Sequence, residues 1–138
     1  MENNIIIPDN DLPHSIEAEQ SVIGAILSDP SIAPLVIEKV KAEYFFTEQH
    51  KAIFGIIVRM FTSSMPIDIV TVLNEAEKMH IFESAAEGRR YLAEIANTLP
   101  TTENIESYCK IVADKYLIRS LGFAARNILA QIYQGERS

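Results

Sequence analysis

Two pairs of carboxylates, Glu17 with Glu19 and Glu75 with Glu77, are of the residue type that paired acid–base chemistry uses. On a helix a spacing of two sends them to different faces, so each pair is expected to form part of a solvated charged face. The histidines, His14, His50 and His80, are far apart in sequence and none has a ligand spacing such as His-Glu-x-x-His. Surface or helix-end positions are expected for them, with His14 near a cap and His50 in a first turn. Cys109 could act as a nucleophile only beside a base, and on an apolar stripe it reads better as a small buried hydrophobe. Arg89-Arg90 beside Tyr91 is a fragment of a nucleic-acid patch, but its acidic surroundings favour a salt-bridged helix start or a protein-contact site. The glycines, Gly24, Gly55, Gly88, Gly122 and Gly135, do not form the Gly-x-x-x-x-Gly-Lys-Ser/Thr cradle that nucleotide hydrolysis needs. Nothing here converges into a catalytic constellation. The expectation is no catalytic residue, no cofactor and no metal in this chain.

The elements that would hold these residues read as helices. Ser15 caps a first helix whose Glu17 and Glu19 favour the positive end of its dipole, and Asp29-Pro30 ends it. Ser31 is expected to cap a second helix from Ile32 to about Lys41, with Pro34 in its first turn. Thr47 opens a third, lined on one face by Ile53, Ile57, Met60 and Phe61. Asp68 caps a fourth, where Ile69, Val72, Leu73 and Ala76 repeat at helical spacing; a strand over 67–72 is the weaker reading because the period does not alternate. Ser84 and Glu87 have capping-box spacing ahead of a fifth helix ending near Thr98, and Pro100 breaks the chain. The fold class is therefore all-α: a tail at 1–12 expected to be flexible, a compact head at 13–99, and one long helix within 100–138.

That last helix, from about Thr102 to Gln134, carries one apolar stripe: Ile105, Tyr108, Cys109, Val112, Tyr116 and Leu117, then Leu121, Ala124, Ile128 and Ile132. At 1.5 Å per residue it would be roughly 50 Å long, about twice the length of any other helix here. Part of the stripe must find cover outside the fold, which points to assembly or partner binding. Gly122, mid-stripe, is either tolerated or a close-approach point beneath a partner helix. The net charge of −7 is uneven: residues 1–101 carry 7 basic and 15 acidic groups, and residues 102–138 carry 5 and 4. An acidic body disfavours nucleic-acid binding as the main task. With one cysteine, no signal-like start and no apolar run of membrane length, a cytoplasmic protein without an internal disulfide is expected.

Several blocks occur in an order that resembles a known family. Leu12 to Leu27, reading LPHSIEAEQSVIGAIL, is similar to the opening of the N-terminal domain of the bacterial replicative DNA helicase, the DnaB family. Tyr44-Phe45-Phe46 with His50, Ile53 and Phe54, then Pro66 to Val72, then Tyr91 to Ile95, resemble its successive blocks. Pro100, Asn104, Ile105, Tyr108, Ile111, Val112, Lys115 and Arg119 resemble the entry to its helical hairpin. The likeness covers about residues 12–134. It departs at Glu87-Gly88, where the family often has a Gly-Gly pair. The family's linker, ATPase domain and phosphate-binding loop have no counterpart in this sequence.

The resemblance implies a helical head followed by the first arm of a projecting hairpin, whose second arm is expected beyond Ser138. It implies pairing of hairpins between subunits, with six copies forming a collar of three dimers above a motor ring. The partners implied are further copies of the chain, the C-terminal domain of DNA primase and, in some systems, a helicase loader, with direct DNA binding and membranes playing no main part. ATP and magnesium belong to the motor domain and not to this segment. Residues matching family partner-contact regions are Glu17, Tyr91, Arg119, Gly122, Phe123, Arg126 and Ile128. Tyr116, Leu117, Leu121, Ala124 and Ile132 match the oligomer interface. Glu17 has an alternative as a dipole-favouring residue, Tyr91 as core, and Ile128 as a contact of the next hairpin helix. The rival identities are the helicase-binding domain of primase, against which Ser15 to Gln20 speaks, a small helical hydrolase, and a DNA-binding module.

Overall fold

The computed structural model describes residues 12–97 and 102–136, and the expected flexible tail and the break at Pro100 lie outside them. Among the described residues there are six helices: α1 (Ile16–Ser28), α2 (Ala33–Lys39), α3 (Glu48–Thr62), α4 (Ile69–Lys78), α5 (Ala85–Asn97) and α6 (Ile105–Glu136). Among the described residues there is no strand, and the 67–72 segment that could have been one enters α4. Three 3-10 turns, at Pro30–Ile32, Ala42–Tyr44 and Thr102–Asn104, join helices.

The helix ends follow from local chemistry. Ser15 accepts from the Ala18 amide at the start of α1, and Asp68 and Thr71 satisfy each other's backbone amides in a capping box at α4. Ser84 Oγ accepts from Glu87 N at 3.1 Å ahead of α5. The second helix differs from expectation. Asp29, not Ser31, supplies the cap: its carboxylate accepts from Ser31 N, which turns Pro30–Ile32 into a 3-10 segment and delays α2 to Ala33. Likewise Thr102–Asn104 is a 3-10 turn, so α6 proper starts at Ile105.

The C-termini of α3 and α4 close without glycine. Ser64 and His80 take the left-handed conformation, at φ 56° and 54°. Met65 N then reaches Met60 O, and Ile81 N reaches Ala76 O, the six-to-one bond of a Schellman ending.

α1 is the central helix, packed against α5, α6 and α3, and its Val22, Ile23 and Ile26 are fully buried. Phe45, Phe54, Ile53, Ile57, Met60 and Leu92 belong to the same buried cluster. Phe61, expected on the inner face of α3, is 41% exposed; Ile56 and Phe54 turn inward instead. Gly88 marks a close approach in the head. A Cβ there would lie 2.7 Å from side-chain carbons of Leu73 and Phe82, so glycine lets α5 meet α4 closely.

Only the first part of α6 belongs to this core. Ile105, Cys109 and Val112 are buried, whereas Leu117, Leu121, Ile128 and Ile132 are exposed. The single stripe read from the sequence is in fact two. Each residue turns a helix by about 100°, so the one-residue step from Tyr116 to Leu117 rotates the pattern by more than a quarter turn. The direction shared by Leu117, Leu121, Ala124, Ile128 and Ile132 lies roughly 130° from that of Ile105, Cys109, Val112 and Tyr116. With 32 residues, α6 is roughly 48 Å long and projects past the head.

Candidate functional site

Two arrangements of polar and apolar groups stand out, one inside the head and one along α6. The first is built by three helices. α1 contributes Glu19 and Gln20, α3 contributes His50, and α5 contributes Tyr91. The Glu19 carboxylate is buried and accepts three N–H groups: Phe46 N at 2.8 Å, Thr47 N at 3.3 Å and His50 Nδ1 at 2.8 Å. A carboxylate only accepts, so Nδ1 carries a proton and donates it, while Nε2 lies within hydrogen-bond distance of the Tyr91 hydroxyl, 2.6 Å away. Gln20 Nε2 donates to the same hydroxyl oxygen at 3.1 Å.

Burial acts to raise the Glu19 carboxyl, but the His50 bond, the two backbone amides and the imidazole's charge outweigh it, leaving Glu19 below the ordinary carboxylate value. The sequence reading of Glu19 as half of a solvated pair is therefore corrected, and of the two alternatives for His50, surface or helix end, only the helix end holds. Glu17 is exposed and Glu19 is 2% exposed, because a spacing of two puts one outward and the other into the core. His50 is 1% exposed. Its position in the first turn of α3 was legible, but the carboxylate that makes its burial tolerable sits 31 residues away in sequence.

The carboxylate–imidazole–hydroxyl order is that of a relay to a nucleophile, but the chemistry runs the other way. Burial pushes the Tyr91 phenol up from its ordinary value, and both His50 and Gln20 occupy its hydroxyl. This is a locking network between helices. Tyr91, half-buried, also borders a small polar pocket lined by Gln49, Phe82, Glu87, Arg90 and Glu94. Cys109 is buried and its thiol is pushed up to about 11 by desolvation, the state of an inert core thiol. Among the described residues no three His, Cys, Asp or Glu side chains gather where they could hold a metal ion.

The second arrangement anchors α6. Arg119, 7% exposed, donates from its two terminal nitrogens to Pro13 O and Tyr44 O, each at 2.8 Å. Its guanidinium lies 5.3 Å from the centre of the Phe46 ring, which stacks on His14 at 4.1 Å. Tyr116 stacks on Tyr44 at 4.6 Å. Arg119 and Tyr116 are thus engaged within the chain, fixing α6 to the loop before α1 and to the 3-10 turn before α3.

Beyond this clamp the remaining site residues fall on different sides of α6. Leu117, Leu121, Ala124, Ile128 and Ile132 form one exposed apolar row. Gly122 and Phe123, with Arg126 placed over the Phe123 ring at 5.6 Å, border a separate apolar groove that starts at Leu12 and Pro13. A Cβ at Gly122 would meet nothing within 4 Å among the described residues, which leaves room there for a further segment. Glu17 lies on α1, apart from both.

Residues 11–114 match the model of the DnaB-like helicase N terminal domain. The chain is 37% identical over 124 residues to replicative DNA helicase DnaC of Bacillus subtilis and 36% identical to replicative DNA helicase DnaB of Geobacillus stearothermophilus, in each case over 90% of this chain and 27% of the relative. It thus spans about a quarter of the length of the curated relatives it matches. Its fold superposes on the crystal structure of the N-terminal domain of DnaB helicase from Mycobacterium tuberculosis with a TM-score of 0.84, at 29% identity, covering 92% of this chain and 90% of that one. The head, the clamp and the long final helix are the parts of one recognisable module, and the chain belongs to the family of DnaB-like helicase N-terminal domains.

Proposed function

We propose that this chain is the assembly and primase-docking domain of a replicative helicase, doing no chemistry itself and contributing to the collar that sits above a hexameric motor ring. The observation that carries the reading is the exposed row Leu117, Leu121, Ala124, Ile128 and Ile132 on a helix extending well past its head, in a chain of this family. Apolar surface in such a row favours burial by roughly 25 cal/mol per Å². A second hairpin arm or the hairpin of a neighbouring subunit is the natural cover.

The head then serves as a rigid platform. Its locking network and buried core hold α5 and the base of α6 in fixed relation, which lets Glu17, Tyr91 and the outer part of α6 offer separate contacts to the C-terminal domain of primase. A loader would use the same collar. ATP and magnesium act in the motor domain, and the uneven charge, acidic over the head and balanced along α6, suits protein partners better than DNA.

Sedimentation of the chain, with pull-down by the cognate primase C-terminal domain, tests this reading. Dimers or larger species and a stoichiometric complex are expected. A monomer at high concentration that fails to retain the primase domain overturns it.

A further inference from the structure

We propose that the apolar groove between Leu12-Pro13 and α6 is the seat of the chain's own N-terminal segment, with Ile5, Ile6 and Ile7 as the seated residues. The groove measures about 320 Å³, and Ile118, Phe123, Ala125 and Leu129 give it an apolar wall. Its other wall is Leu12 and Pro13, the residues through which the segment 1–11 joins the head. Arg119 holds the Pro13 carbonyl at 2.8 Å, so the segment leaves the head from a fixed point at the groove's edge.

Composition, reach and charge agree on the occupant. Within residues 1–11, the three isoleucines form an apolar run set among Asn, Asp and Glu. From Leu12, the five residue steps back to Ile7 span at most roughly 17 Å, close to the roughly 16 Å from Ile118 to Leu129 along the helix. Glu2, Asp9 and Asp11 are the segment's charged side chains, and the groove is bordered by Arg119 and Arg126. Ile118, Gly122, Ala125 and Leu129 point roughly 90° away from the Leu117 row. The segment therefore covers a face of α6 that the proposed assembly surface does not use.

A nitroxide attached at Asn4→Cys tests this in the full chain, Cys109 being buried and inert to the label. In labelled, isotopically enriched chain diluted with excess unlabelled chain, the Gly122, Ala125 and Leu129 amides are expected to broaden. Replacing Ile5, Ile6 and Ile7 together by Ser should cut that relaxation enhancement at least about fivefold, since the apolar contact is removed. Absence of broadening, or broadening unchanged by the serine replacements, overturns the proposal. So does broadening that appears only when enriched unlabelled chain is mixed with labelled chain, because a second copy's segment would then occupy the groove.

Discussion

The head and the outer half of α6 contain similar apolar residues at similar spacing but put them to opposite use. In the head, Ile23, Ile53 and Leu92 are sealed from water and tied across helices by the Glu19–His50–Tyr91 network. Past Arg119, Leu121, Ile128 and Leu129 are more than half exposed, at 61%, 58% and 52%. Helical periodicity says that a face is apolar; it does not say which chain covers it. Arg119 is the boundary, the last residue of α6 that the head buries among those described.

The sharpest test of this contrast is Glu19→Ala, which leaves the Phe46 and Thr47 amides and the His50 imidazole without their acceptor. A loss of about 3–5 kcal/mol in unfolding free energy is expected by chemical denaturation. The same group makes the head acid-sensitive. Its folded value lies below the ordinary 4.5, so its contribution is complete above that value and is lost as pH falls through the depressed one. Glu19→Gln should flatten the stability profile in that acid window, and an unchanged profile would assign the sensitivity to other groups.

Arg119→Ala removes two bonds to backbone carbonyls and should cost about 2 kcal/mol. Arg119→Lys should recover only part of it, because an ammonium lacks the fork that spans both oxygens. Amide exchange should accelerate in α6 more than in α1.

Two glycines give the comparison in miniature. Gly88→Ala should destabilise by about 1–3 kcal/mol, because Leu73 and Phe82 must move. Gly122→Ala, with open space around it, should stabilise the chain by about 0.5–1 kcal/mol through helix propensity. Equal effects on melting would mean that the two environments are alike.

The smallest effect on stability is expected from Leu121→Ser with Ile128→Ser, within about 0.5 kcal/mol for each exposed site. Sedimentation should nevertheless show self-association weakened. If it persists unchanged, the row is not the assembly surface.

Tyr91 shows how the structure redirects an experiment. As a surface contact, its replacement by alanine would leave melting nearly untouched. Hydrogen-bonded to His50 and Gln20, it is expected to lower the melting temperature as well, so Tyr91→Phe, which keeps the ring, separates docking from locking.

The sequence alone determined the helix count, most caps and the all-α class, because Ser15, Asp68 and Ser84 act on amides within three residues of themselves. It determined the family too, through blocks whose order survives without any knowledge of contacts. The glycine-free endings at Ser64 and His80 escaped it, since their six-to-one bonds carry no residue signature when glycine is absent. Only the tertiary structure decided that Glu19 and His50 are buried, as each is tolerated only because the other is there. The turn in the stripe of α6 was already present in its spacing, since periodicity records where apolar side chains point, but only the packing of the head decided where their cover stops.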